Sequence, residues 1–315
     1  MTTIDQTFAG SQFGPLFENW HKIAHNQLDK AFHLSPHLSF DDTTRLAFFS
    51  DAHRGVNNRD DFFAPNAGLF YHALSHYFHE AFTFVEVGDG DELWHNHSFA
   101  DIRRTYSKIF DRFAQFNRAG RLHLIVGNHD SPQGLFDATE KEGIPLTQGL
   151  RLTYTPTGQK LFAVHGHQAD PDGDRNWETI RRQSRYFWQY LLRSGLSRFY
   201  HFAEPEFNLP DKPELLRLPR WFSDWALTKA VRLETAIKMW LEREKQIVIS
   251  GHTHMVNFPG RGELPHFNTG HCTTPGYITG LEINDGVLAM VKWTDWDGVY
   301  ARTVLRQMPL GEVMG

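Results

Sequence analysis

Leu122-His123-Leu124-Ile125-Val126-Gly127-Asn128-His129-Asp130 runs from an aliphatic stretch into a glycine and three polar residues. A short β-branched and aliphatic run closed by glycine reads as a buried parallel strand. Three other stretches repeat the arrangement. Leu46-Ala47-Phe48-Phe49 leads into Ser50-Asp51-Ala52-His53, Phe84-Val85-Glu86-Val87 into Gly88-Asp89, and Ile247-Val248-Ile249-Ser250 into Gly251-His252-Thr253-His254. In open α/β sheets, ligands bind outside the carboxyl ends of the strands. Polar clusters far apart in the chain are therefore expected to converge at one sheet edge.

Working outward from these stretches, the pattern predicts strands at 45–50, 83–88, 121–127, 160–165 and 246–250. It predicts helices at 13–32, 67–82, 98–118 and 133–142, the first with Phe13, Leu16, Phe17, Trp20, Ile23 and Leu28 at near-helical spacing. Beyond residue 254, short strands are expected at 265–270, 277–284, 287–294 and 299–306, with turns at Asn284-Asp285-Gly286 and Asp295-Trp296-Asp297-Gly298. Strand–helix alternation followed by antiparallel strands suggests an α/β fold of two sheets sharing a core, with helices outside. His72, His76 and His79, like His21 and His25, fall at helical spacing and read as packing residues rather than ligands.

Composition narrows the classes. At 315 residues, with 40% apolar and 22% charged residues, the chain has ample core for one large domain or two smaller ones. A single cysteine, Cys272, excludes an internal disulfide and a thiolate-rich zinc site, and fits a reducing compartment. Met1-Thr2-Thr3-Ile4-Asp5 lacks a basic stretch followed by an apolar one, which argues against a signal peptide. No apolar run approaches the ~20 residues that span a bilayer. A cytoplasmic protein is expected. Residues 174–245 interrupt the alternation with a helical pattern. They hold Trp177, Trp188, Trp221, Trp225 and Trp240 and the dense segment Arg181-Arg182-Gln183-Ser184-Arg185-Tyr186-Phe187-Trp188. That stretch reads either as a helical subdomain with its own core or as a basic, aromatic face for an anionic or amphipathic partner, including a membrane surface.

The donor types carry the chemistry. Asp51 and His53 are two apart, so on extended backbone both side chains would point the same way, and His252 and His254 repeat the spacing. Asp89 and Asn128 add oxygen donors, and His165 adds an imidazole from Val164-His165-Gly166-His167. These mixed nitrogen and oxygen donors exceed the needs of one tetrahedral ion and suit two divalent ions sharing a bridging carboxylate. Two ions about 3.5–4 Å apart generate a bridging hydroxide at neutral pH and hold a phosphate for in-line attack. The donor set admits Mn, Fe or Zn. In the loop after the first pair, Arg54 and Asn58 are candidates for contacting substrate phosphate, with pairing to Asp60 and Asp61 as the structural alternative.

Asp51-x-His53, Gly88-Asp89-x-x-Glu92, Gly127-Asn128-His129-Asp130, His165-Gly166-His167 and Gly251-His252-x-His254 resemble the five motifs of the calcineurin-like metallophosphoesterases. The resemblance implies a four-layer αββα sandwich and a dinuclear centre. It divides the chain into an N-terminal helical extension (1–44), a metallophosphoesterase domain (45–173 and 246–315) and a helical cap insertion (174–245). By position, Asp51, His53 and His254 would bind one ion and Asn128, His165 and His252 the other, with Asp89 shared. His129 would assist the leaving group, oriented by Glu92, with His167 and Asp130 behind them.

A narrower similarity joins Gly88-Asp89-Gly90-Asp91-Glu92-Leu93-Trp94, the insertion and Asn268-Thr269-Gly270-His271 to the UDP-2,3-diacylglucosamine hydrolases. That branch commonly carries arginine at the position of His129 and His-Gly-Asp in place of His165-Gly166-His167. The expected activity is metal-dependent phosphoester hydrolysis of a phosphorylated small-molecule or lipid-linked substrate, as phosphatase or phosphodiesterase. A UDP-lipid pyrophosphatase, a nuclease-type phosphodiesterase and a non-catalytic scaffold are the alternatives. A net charge of −5 argues against broad nucleic-acid affinity, and oligomeric state is left open.

Overall fold

A computed structural model describes residues 14–94, 96, 98–130, 140–170 and 220–313, with the side chains of 14–18, 140 and 220–230 not described. Five helices and thirteen strands are found among them. The helices are α1 (Gly14–Leu34), α2 (Ala67–His79), α3 (Phe99–Thr105), α4 (Ser107–Arg118) and α5 (Arg220–Glu244). The strands are β1 (His37–Phe40), β2 (Leu46–Phe49), β3 (Thr83–Val87), β4 (Leu122–Ile125), β5 (Glu140–Lys141), β6 (Ile144–Thr147), β7 (Leu150–Tyr154), β8 (Gln159–Ala163), β9 (Ile247–Ser250), β10 (His266–Asn268), β11 (Tyr277–Asn284), β12 (Val287–Trp296) and β13 (Val299–Pro309). They form a five-stranded sheet, β1-β7-β8-β9-β10, and an eight-stranded one, β13-β12-β11-β2-β3-β4-β6-β5. Both sheets are mixed: β2, β3, β4 and β6 run parallel, as do β8, β9 and β10.

Strand alternation sorts the apolar residues into three cores. Leu46, Phe48, Val85, Val87 and Ile125 from one sheet meet Leu150, Leu152, Leu161, Ala163, Ile247 and Ile249 from the other. The opposite face of β2 and β3, with Ala47, Phe49 and Phe84, packs on Leu74, Tyr77, Phe110 and Phe113 of α2 and α4. Phe162 and Val248 pack outward on Ala24, Leu28 and Ala31 of α1 and on Leu233, Ile237 and Trp240 of α5. Three cores between helix, sheet, sheet and helix make a four-layer αββα sandwich. α1 and α5 together form one outer layer, tied by Trp240 Nε1–H donating to Asp29 at 2.7 Å.

Several elements differ from the sequence expectation. The predicted helix 133–142 lies outside the described residues as far as 139. From Glu140 it is strand, because Glu142 and Gly143 both take left-handed φ (51° and 75°) and close a two-residue hairpin onto β6. Helix 98–118 is two helices, broken at Tyr106, whose hydroxyl donates to Asp61. β1, β6 and β7 were not expected; each is short and only partly buried. Of the 174–245 stretch, 174–219 lies outside the described residues, including Trp177, Trp188 and the arginine-rich segment. The rest is chiefly α5. His72 and His76 are packing residues, edge-on to Trp293 at 5.7 and 5.2 Å.

Candidate metal centre

The parallel strands β2, β3, β4, β8 and β9 end at one edge, and their outgoing loops are stitched together through the backbone. Asp51 N–H donates to Gly88 O (3.0 Å), His53 N–H to Asp89 O (2.9 Å) and Gly251 N–H to His165 O (3.0 Å). Asp51, His53, Asp89, His252 and His254 all take left-handed φ, between 48° and 70°. The extended geometry expected for the two spaced pairs is therefore not found. The chain turns at each of these five residues, in a conformation non-glycine residues seldom hold. Close approach also explains two glycines. A Cβ at Gly88 would lie 2.6 Å from the His165 ring, and one at Gly127 would collide with Asp89.

The side chains converge in three interlocking groups, Asp51–His53–His254, His53–Asp89–His129 and Asp89–His165–His252, with the candidate ligand atoms of each within 4.8 Å of one another. His254 Nε2 lies 3.2 Å from Asp51 Oδ1 and 3.3 Å from His53 Nε2. Asp89 Oδ2 stands 3.7 Å from His53 Nε2 and 3.2 Å from His165 Nε2, between the first group and the third. His165 Nδ1 lies 2.9 Å from the Val87 carbonyl, which can only accept. Nδ1 therefore keeps its proton, and Nε2 is the nitrogen that would give its lone pair to a bound cation. Asp51 is held by the His252 backbone N–H at 2.9 Å and by the Ser50 hydroxyl. The carbonyl oxygen Oδ1 of Asn128 is buried with no hydrogen-bond donor.

Glu92 links two rings. Its Oε2 accepts from His53 Nδ1 (3.0 Å) and His129 Nδ1 (2.8 Å), which leaves Nε2 of each ring for chemistry. The rings meet edge to face at 4.6 Å. Trp94, part of the narrower motif but given no role there, stacks on His129. Its placement within Glu92-Leu93-Trp94 was the available signal.

Electrostatics follow from burial and pairing. Burial raises the Asp51 and Asp89 carboxyls, but the surrounding histidine charges, His254 and His165 at Asp51 and His165 and His129 at Asp89, more than offset it and hold both below the usual range. Burial lowers His165, yet Asp89 and Asp51 raise it to about 9. His129 is likewise raised against its burial, chiefly by Glu92 and then Asp89. His167 is buried with both ring nitrogens unpartnered beside His165 and His252. Burial, then the charges of those two histidines, push it well below its ordinary value and keep it neutral.

Arg54 corrects the expectation of a phosphate contact. Its side chain is fully buried, with Nε on Asp91 (2.7 Å) and the two terminal nitrogens on Glu86 (2.5 and 3.0 Å). Lys141 Nζ extends the network to Asp91 and Asp130, both at 2.7 Å. Asp130 also accepts from the Asp91 and Gly127 backbone N–H groups, at 2.9 and 2.8 Å, so it shapes the loops rather than facing the centre. Asn58 is exposed, and its Oδ1 accepts from Asp60 N–H within its own turn. Asp61, the expected partner of the loop arginines, instead caps Asn57, Phe63 and Ala64 N–H.

Converging imidazoles and carboxylates with proton-fixed tautomers, together with an orphaned amide oxygen at Asn128, fit two divalent cations sharing Asp89. No helix among the described residues is long and apolar enough to cross a membrane. No curated protein sequence matches the chain. Among solved structures, it is similar to vacuolar protein sorting 29 from Cryptosporidium parvum (11% identity, 84% of this chain and 98% of that one, TM-score 0.41). It is similar also to Vps29 with Zn from Entamoeba histolytica (14%, 85% and 99%, 0.38) and to a mutant cold-active protein tyrosine phosphatase (13%, 85% and 82%, 0.41). The calcineurin-like phosphoesterase family profile matches residues 44–256, more than half of the chain. With that match on a four-layer sandwich whose loops gather this donor set, the chain belongs to the calcineurin-like phosphoesterases.

Proposed function

We propose that the chain is a metal-dependent phosphoester hydrolase in which Asp51, His53 and His254 hold one cation, Asn128, His165 and His252 hold the second, and Asp89 is shared. The observation carrying this reading is the interlocking of the three donor groups through His53 and Asp89. Bound divalent cations supply an activated water at neutral pH and offset charge on the phosphoryl oxygens. The chain's own residues do the rest. His129, anchored at Nδ1 by Glu92, presents Nε2 to the leaving oxygen and donates its proton as the P–O bond breaks. Glu92 stabilises the imidazolium before that transfer. Asp51, itself held by Ser50 and the His252 N–H, stays ionised and fixes His254.

We propose a phosphorylated small molecule or lipid-linked ester as the substrate class and a cytoplasmic location, which the buried, unpaired thiol of Cys272 favours. Since α1 and α5 both cover the five-stranded sheet, we assign these two helices to the catalytic body rather than to an extension and a cap. Elemental analysis with a screen of chromogenic mono- and diesters tests the reading. Two cations per chain and chelator-sensitive turnover are expected. Turnover that survives exhaustive chelation overturns it.

A further inference from the structure

Trp94 supplies no ligand atom to the centre, yet it is fixed against it in three ways. Its indole lies flat on the His129 imidazole, with ring centroids 4.0 Å apart and planes at 22°. Its Nε1–H donates to the backbone carbonyl of Asn128 at 2.6 Å. Its backbone N–H donates at 3.1 Å to Oε1 of Glu92, the carboxylate whose other oxygen takes the proton of His129 Nδ1.

We infer that Trp94 is a positioning residue for His129, setting the plane of the imidazole and tying that plane to Asn128. An imidazole held only at Nδ1 by one carboxylate oxygen can still pivot about that bond, carrying Nε2 away from the leaving oxygen. The indole blocks the pivot on one face, and the edge-to-face contact with the His53 ring limits it further. Because Nε1 grips Asn128, the backbone that bears a proposed metal ligand and the plate that orients the proton donor move as one body. A broad apolar side chain alone would give the first property and not the second. Trp94 is 8% exposed, so the contact is made within the protein and not by substrate. Misplacement of a reacting group by about 1 Å costs on the order of 100-fold in rate.

The inference rests on the assignment of His129 to the leaving group, and the test separates the two. Turnover of Trp94→Leu, Trp94→Phe and His129→Ala is compared on an aryl phosphate with an activated leaving group and on an alkyl phosphate, with metal content measured in parallel. The expected result for Trp94→Leu is a loss of about 100-fold on the alkyl ester and little on the activated one, at unchanged metal content. Trp94→Phe, which keeps the plate and loses the N–H, is expected to recover part of it. In the metal-free protein with 13C-labelled histidine, the upfield shift of the His129 ring signals, assigned with His129→Ala, should vanish in Trp94→Leu and persist in Trp94→Phe. Equal losses on both esters, a fall in metal content, or an unmoved His129 signal overturns the role of Trp94 while leaving His129 in place. If His129→Ala itself shows no preference between the esters, the leaving-group assignment fails and this inference with it.

Discussion

The ligand cluster and the Arg54 network are built from the same loops and obey opposite rules. In the cluster, five residues hold left-handed backbone, two imidazole nitrogens stand 3.3 Å apart, and Asn128 Oδ1 is buried without a donor. In the network, every charge meets an opposite one. Arg54 lies between Glu86 and Asp91, Lys141 lies between Asp91 and Asp130, and the guanidinium also sits 5.2 and 5.3 Å from the Phe110 and Phe113 rings. Left-handed conformations at non-glycine residues cost of order 1–3 kcal/mol each. The cluster's backbone is therefore costly in itself, and its donors are arranged for cations the chain does not contain. The network provides the rigidity that keeps it so: its five residues fix the loops after β2, β3 and β4 from the helix-facing side of the sheet.

The largest effect expected is at the residue common to both cation positions. Asp89→Ala should reduce turnover to background and remove metal from both positions, because Oδ2 faces each group and Oδ1 holds the His129 N–H at 2.7 Å. Retention of one cation per chain would show that the two groups are separable. Next comes Arg54→Met, which leaves Glu86 buried without its cation and Asp91 with Lys141 alone. A loss of about 3–5 kcal/mol in unfolding free energy is expected from denaturant titration, with or without metal. The counterpart is Asn128→Leu. In metal-free protein it should unfold no earlier than wild type, since it removes a buried carbonyl oxygen that already lacks a donor. Only the stabilisation that added metal gives the wild type should disappear. If metal-free Asn128→Leu is as destabilised as Arg54→Met, the contrast between the two regions is wrong.

This contrast also marks what the sequence discloses. The ligands were legible because each ends an aliphatic run, and parallel strands bring such ends together. Arg54 was misread because it directly follows Asp51 and His53, where a loop arginine looks free to meet substrate. Its partner was in view. Glu86 interrupts Phe84-Val85-Glu86-Val87, and a carboxylate inside a buried strand requires a cation, a pairing that alternation alone does not suggest. Lys141 was hidden for another reason, since residues 133–142 read as helix while the Glu142-Gly143 turn makes 140–141 a strand. β1 and β7 carry mixed polar and apolar residues, HLSF and LRLTY, whose pairing is fixed by partners distant in sequence. Trp94 could be named from its motif, but its stacking on His129 depends on the meeting of two loops.

The smallest effect concerns histidines just inside the rim. There, His165 is raised beside Asp89, whereas His266 is fully buried, with Nε2 on the Ser250 hydroxyl at 2.8 Å and Nδ1 unpartnered. Burial, with a small contribution from Lys238, pushes His266 down to about 3 from an ordinary 6.5. Between those values the unfolded chain binds a proton that the folded chain refuses. Its contribution to stability is thus complete above 6.5 and declines as pH falls toward 3, by at most about 1.4 kcal/mol per pH unit. His266→Gln should flatten that decline in urea midpoints compared near neutral and mildly acidic pH. An unchanged acid slope would mean that the interior histidine is not held neutral by burial, and that rim and interior differ less than their surroundings imply.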